Sequence, residues 1–238
     1  MAQEKPVAVV TGVGPGLGAA LARRFAKDYI VAMIARRADY LKSLAAEIEG
    51  SGGHAVAFPA DVGDREQIES AFKQIRERLS DPAVLLYNAG SGNFGNILEI
   101  TPEQFETSWR VNSYGAFIAA KEVAPAMVAN GKGVMLFTGA TAGIKAGPKS
   151  VSFGPAKFAM RGLAQSLSRD LGPRGIHVAW INVDGSIDIP GARGRKPGLN
   201  DDDFLKPEAI ADTYWHLAHQ DRSSWTMELE VRPFKEKF

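Results

Sequence analysis

Short apolar runs recur along the chain, and each is followed by a longer stretch in which apolar positions return every three or four residues. "VAVVTG" stops at a glycine and gives way to "GAALARRFAKD", which has helical spacing. The strand-like "YIVAMIA" precedes the amphipathic "DYLKSLAAEIEGSG", and "HAVAFPAD" precedes "DREQIESAFKQIRERLS". "AVLLYNAG" comes next, and residues 102–130 then read as one long helix opening after Thr101-Pro102, a good start signal. "GVMLFTG" predicts a fifth strand, residues 154–172 a further helix, and "IHVAWINVDG" a sixth strand. "PEAIADTYWHLAHQ" and "SWTMELEVRP" predict a last helix and strand. Strands that are apolar throughout, alternating with helices, belong to a parallel sheet covered on both faces. The expectation is a single doubly wound α/β (Rossmann) domain over 1–238, with a parallel sheet of about seven strands. Such a sheet binds its ligand at the carboxyl ends of the strands. One stretch breaks the rhythm. Residues 184–206, "DGSIDIPGARGRKPGLNDDDFLK", are rich in Gly, Pro and charge and read as a long mobile loop beside the substrate. Within it, "LNDDDF" reads as a cap for the last helix.

Composition narrows the function classes. Of 238 residues, 45% are hydrophobic and 23% charged, and the net charge of +1 gives no reason to expect nucleic acid or an anionic membrane as partner. There is no cysteine, so thiolate chemistry and disulfides are excluded, which fits a reducing compartment. The N-terminus lacks a signal-peptide layout and no apolar run approaches membrane-spanning length, so a cytoplasmic location is expected. His216 and His219 are spaced i, i+3 in an apolar helix without a third ligand, and read as structural rather than as a metal site.

The chemistry starts at "TGVGPGLG", between the first strand and the first helix. Gly12, Gly16 and Gly18 permit a tight turn, close backbone approach to a pyrophosphate and close helix packing, with the helix N-terminus at Leu17 facing the phosphates. The spacing is not GxGxxG, since three residues separate Gly12 from the next glycine of the pattern. At the end of the second strand, sites selective for NAD carry a carboxylate for the ribose 2′-hydroxyl. Here the chain reads "IARRAD". Arg36 and Arg37 suit a 2′-phosphate and favour NADP (NADPH) over NAD, or else solvate a strand end, with Asp39 close by.

Five elements in order make the chain resemble the short-chain dehydrogenase/reductase family along nearly its whole length. "TGVGPGLG" looks like that family's TGxxxGxG turn, and Asp61-Val62 like its adenine-contacting pair. Asn88, Ala89 and Gly90 match its NNAG motif, Asn112 its helix-kinking Asn, and Lys157 the Lys of YxxxK. The resemblance implies that Lys157 holds the nicotinamide ribose and that Asn112 relays protons through water. It places Phe153 at the position of the catalytic Tyr and Ala140 at that of the Ser. Asp184 and Ile189 stand where the family has the Pro of a turn and a carboxamide-binding Thr. A general acid is worth about 10²- to 10⁴-fold and an oxyanion donor about 10²- to 10³-fold, so losing both would cripple ordinary carbonyl reduction. Thr138, Thr141, Ser150 and Ser152 are nearby hydroxyls that either substitute in part or serve the loop. Trp109 and Tyr114 either line a pocket or pack. The resemblance thus implies an NADP-binding oxidoreductase with a small carbonyl or conjugated-alkene substrate, or a non-catalytic NADP-binding subunit. It also implies a homodimer or homotetramer built on the helices at 102–130 and 154–172.

Overall fold

The computed structural model describes residues 5–236. Seven parallel strands form one sheet in the order β3-β2-β1-β4-β5-β6-β9. They are β1 (Val7–Thr11), β2 (Ile30–Ala35), β3 (His54–Pro59), β4 (Pro82–Tyr87), β5 (Gly133–Thr138), β6 (Ile176–Val183) and β9 (Glu228–Val231). Successive side chains of a strand point to opposite faces. Val7 and Val9 of β1 therefore join one core and Ala8 and Val10 the other. The first core is completed by α3 (Arg65–Arg78), α5 (Gly115–Asn130) and α6 (Phe153–Leu171). The second is completed by α1 (Leu17–Phe25), α2 (Ala38–Gly50) and α8 (Pro207–Ala218). Phe72 and Met160 are fully buried on one side, Phe25 and Tyr214 on the other. Each such side chain contributes roughly 1.5–3 kcal/mol of hydrophobic stabilisation. The apolar run in every central strand is thereby explained: both faces are covered.

Two expectations change in detail. Residues 102–130 are not one uniform helix. α4 (Pro102–Trp109) opens with a capping box between Thr101 and Gln104. The chain then passes through a π-helical turn, Arg110–Tyr114, before continuing as α5. The cause lies in Asn112, whose Nδ2 donates to the Ser108 carbonyl at 2.8 Å. That carbonyl is the acceptor that the backbone N–H of residue 112 would take in a regular ladder, and a side chain that competes for it widens the turn.

The segment 184–206 is not without secondary structure. β7 (Ser186–Ile187) pairs in parallel with β8 (Phe204–Leu205), with α7 (Ala192–Arg195) between them. Nor does "LNDDDF" cap the last helix. Asn200 caps its own 3-10 turn at Asp201–Asp203, Asp201 pairs with Arg193, and Asp202 takes Lys235 at 2.8 Å. α8 instead starts on Pro207 with no side-chain cap.

The π turn delivers Gly115 against the end of β3 and the middle of the sheet. A Cβ there would meet the Val62 carbonyl and lie 2.5 Å from the Tyr87 hydroxyl, which itself donates to the Val111 carbonyl at 2.6 Å. Gly115→Ala is expected to destabilise the fold by about 1–3 kcal/mol through overpacking. Urea unfolding of parent and variant measures it, and an unchanged midpoint would contradict the packing described.

Candidate active site

β1 and β4 are neighbours in the sheet although β2 and β3 lie between them in sequence. Their carboxyl ends are tied by hydrogen bonds. Thr11 Oγ1 accepts from the backbone N–H of Asn88 (3.1 Å) and Ala89 (3.3 Å), and Asn88 Nδ2 donates to the Gly12 carbonyl (3.2 Å). Gly12 has φ 69°, and a Cβ on it would sit 2.5 Å from Ala89 Cα, so only glycine lets the two strand ends meet. Gly16 has φ 146°, and a Cβ there would reach Ile189 Cγ2 at 2.5 Å. The turn leads into α1, whose first residue is Leu17 and whose N-terminus has no side-chain cap.

A cleft of about 570 Å³ runs along this turn. Gly12, Gly16, Leu17, Gly18, Arg36, Arg37, Asp61, Val62, Asn88, Ala89 and Gly90, all assigned to a cofactor from sequence, line it together. Arg36, at the end of β2, is 79% exposed and stands 4.0 Å from Asp61 Oδ2. Arg37 lies over the Tyr40 ring at 4.9 Å. Asp39 is turned into the first turn of α2 and is not among the lining residues.

Gly90, Ile187 and Ile189 also border a second cavity, of about 500 Å³, lined by Phe94, Thr138, Ala140, Phe153 and Lys157 among others. Lys157 reaches it from the first turns of α6 and is 3% exposed. Its Nζ donates to the Thr138 carbonyl at 2.8 Å and lies 5.6 Å from the centre of the Phe153 ring. No acid lines this cavity to compensate the charge, and burial brings the Lys157 pKa down to about 7. Asn112, in the π turn, lies behind Gly90 and outside the lining of either cavity. A Cβ on Gly90 would lie 3.4 Å from Asn112 Oδ1 and 3.7 Å from Lys157 Nζ. Asn112 Nδ2 donates to the carbonyls of Ser91 and Ser108, both at 2.8 Å. Its Oδ1 is buried without a hydrogen-bond partner. A buried acceptor without a partner is unusual and calls for a physical reason.

The four nearby hydroxyls are engaged elsewhere or lie apart. Thr138 Oγ1 accepts from the Tyr214 hydroxyl (2.8 Å) and donates to Asn88 Oδ1 (3.3 Å). Thr141 bonds Asp184, which Arg232 also holds at 3.1 Å. Ser152 donates to the Asn93 carbonyl (2.7 Å) beside Ser108, and Ser150 forms a bridge with Gly95. Trp109 and Tyr114 stack on each other with ring centroids 5.4 Å apart, and neither lines either of these two cavities. His219 stacks on Trp215 and meets the Tyr29 hydroxyl, and no cluster of metal-ligating side chains occurs among the described residues. Sequence reasoning missed Tyr214, which looked like plain helix core, and Arg195 and Lys196, whose arrival at the second cavity depends on how the 184–206 segment folds.

The short chain dehydrogenase model matches residues 6–188. The chain belongs to that family. A versicolorin reductase of Emericella nidulans is 31% identical over 176 residues, which cover 72% of this chain and 66% of the relative, so the match spans just under two thirds of that protein. A short-chain dehydrogenase structure from Rhodopseudomonas palustris superposes with a TM-score of 0.84 at 33% identity, covering 98% of this chain and 100% of the other. An alcohol dehydrogenase from Thermococcus sibiricus, crystallised with 5-hydroxy-NADP, superposes with a TM-score of 0.88 at 28% identity, covering 98% and 99%. Among the described residues, no helix is long and apolar enough to cross a membrane.

The buried amine makes stability depend on pH. Lys157 is largely neutral in the folded protein above about pH 7 but stays charged in the unfolded chain up to about pH 10.5. Between these values the unfolded state binds the extra proton, so the parent gains stability as pH rises. Lys157→Met is expected to be more stable than the parent at pH 6, with the difference shrinking between pH 7 and pH 10. Denaturant titration across that range tests it, and a pH-independent difference would contradict a desolvated amine.

Proposed function

We propose that the protein is an NADP(H)-dependent reductase of a small carbonyl or conjugated-alkene compound, working with an altered proton-delivery group. The observation that carries this reading is the adjacency of two chambers. A glycine-turn cleft with Arg36 and Arg37 at its strand end shares Gly90, Ile187 and Ile189 with the cavity that holds Lys157. A dinucleotide phosphate fits the uncapped N-terminus of α1, and a guanidinium at Arg36 fits a 2′-phosphate better than a 2′-hydroxyl. The Thermococcus relative, crystallised with an NADP derivative, supports the same choice.

When bound, a reduced nicotinamide supplies hydride. This chain must then position the substrate oxygen and give it a proton. By family resemblance, Phe153 and Ala140 occupy the positions of the Tyr and Ser that do this. Neither carries a donor, although both line the second cavity. Lys157 Nζ remains. It spends one hydrogen bond on the Thr138 carbonyl, and its pKa near 7 suits proton transfer at neutral pH. By the same resemblance, Asn112, whose buried Oδ1 has no partner and lies near Gly90, returns the proton to Lys157 through a water.

A second reading has an observation of its own. Thr138, Thr141 and Ser152 all have their hydroxyls bound to protein groups, which leaves Ser186, already accepting from Lys196, as the hydroxyl of the cavity lining with a proton to give among the described residues. That favours a subunit that binds NADP without efficient turnover. Exposed Phe105, Trp109 and Phe117 on α4–α5 and Phe158 on α6 support self-association through these helices in either case.

NADPH is expected to bind several-fold more tightly than NADH, and Arg36→Asp to reverse the order. Fluorescence titration of both proteins decides it, and equal affinities in the parent would remove the assignment. For catalysis, the parent is expected to reduce generic aldehydes and ketones poorly. Phe153→Tyr returns a phenol beside Lys157, and Ala140→Ser returns a hydroxyl for the substrate oxygen. Together they should raise NADPH oxidation by more than the product of the single effects, because both act on one oxygen. A parent as fast as the double variant would show that the proton already has an efficient source.

A further inference from the structure

The 184–206 segment carries four cations, Arg193, Arg195, Lys196 and Lys206. Arg193 is neutralised twice, by Asp188 at 2.8 Å and by Asp201. Arg195 and Lys196 have no carboxylate at ion-pair distance among the described residues; Lys196 Nζ meets only the Ser186 hydroxyl. Both line the second cavity, at the C-terminal end of α7. Among the described residues, the one other ionisable side chain in that lining is Lys157, and no Asp or Glu contributes to it. Apart from Thr138, Ser186 and glycines, the remaining wall is apolar: Phe94 and Phe153, with ring centroids 5.2 Å apart, Ala140, Ala192, Val183, Ile187 and Ile189.

A chamber with uncompensated charge of one sign and low-dielectric walls concentrates ions of the opposite sign. Its volume of about 500 Å³ suits a small organic molecule. The phosphates of a dinucleotide do not account for these two cations, because neither Arg195 nor Lys196 lines the glycine-turn cleft, which has Arg36 and Arg37 of its own.

We infer that the second cavity takes a carboxylate-bearing substrate with an apolar, ring-sized body, its carboxylate held by Arg195 and Lys196 and its reducible carbon directed toward Lys157. This rests on the reductase reading for the identity of the reacting end, while the anion site stands on the cavity alone. Arg195 supplies the planar fork that matches a carboxylate and Lys196 a second point charge. The aromatic pair Phe94 and Phe153 supplies a surface for the body.

The experiment uses unreactive probes on the full chain saturated with NADP+. Naphthalene-2-carboxylate and naphthalene-2-carboxamide share shape and differ in charge. Calorimetric titration should find the carboxylate bound about tenfold more tightly than the amide, a size typical of one charge-assisted contact. The Arg195→Ala/Lys196→Ala double variant should lose that difference and keep the affinity for the amide. Raising salt should weaken the carboxylate and leave the amide unchanged. Equal affinities for the two probes, no binding of either at millimolar concentration, or a carboxylate preference that survives in the double variant would each overturn the inference. NADP+ titration without probe reads the cofactor assignment separately. If NADP+ fails to bind while the carboxylate preference persists in the free protein, the reductase reading fails and the anion site stands.

Discussion

The site depends on where the chain crosses from one side of β1 to the other. β2 and β3 extend the sheet in one direction from β1, and β4, β5, β6 and β9 extend it in the opposite direction. The connections therefore place α1 and α2 on one face and α3, α5 and α6 on the other. Nothing helical can cover the gap at the carboxyl ends of β1 and β4, and a crevice is the geometric result. The glycine turn, the Asn88 loop and the start of α1 are the edges of that gap. Its stability comes from Thr11, whose hydroxyl accepts two backbone N–H groups of the neighbouring strand end while fully buried.

Thr138 extends the same framework one strand further. Its hydroxyl joins Tyr214 on α8 to Asn88 after β4, and its carbonyl takes the Lys157 amine from α6. One residue at the end of β5 thus anchors elements from both faces of the sheet. The amine gains position from this, at the cost of solvation. Lys157 sits among a ring, a carbonyl and a cavity with no carboxylate, and so its proton is held less firmly than on a solvated lysine. An ion pair there would have stabilised the charge and removed the mobility of the proton.

Much of this was legible in the sequence for a physical reason: burial on both faces forces strands to be apolar throughout, and that signal is local. The succession of strands and helices and the place of the glycine turn followed from it, whereas Asp61 and Asn88 were marked by the family resemblance and the order of strands in the sheet came from the structure. The π turn was legible only through the resemblance, which puts a helix-kinking Asn at 112; "RVNSY" has unexceptional helical composition, and the break comes from one side-chain bond, Asn112 to Ser108. The roles of Ser152 and Thr141 were equally hidden, since their partners lie 59 and 43 residues away. The 184–206 segment was the hardest to read. Its short paired strands are each two residues long, too short for any periodicity to show.

Ile187 and Ile189 belong to the walls of both chambers, and Ile189 also rests against the glycine turn at Gly16. A partition shared in this way cannot respond to one occupant without presenting a changed surface to the other. Any shift of that wall that one occupant favours is felt by the other, and such a coupling would be reciprocal: whatever factor a ligand in one chamber imposed on the second, the second would impose on the first.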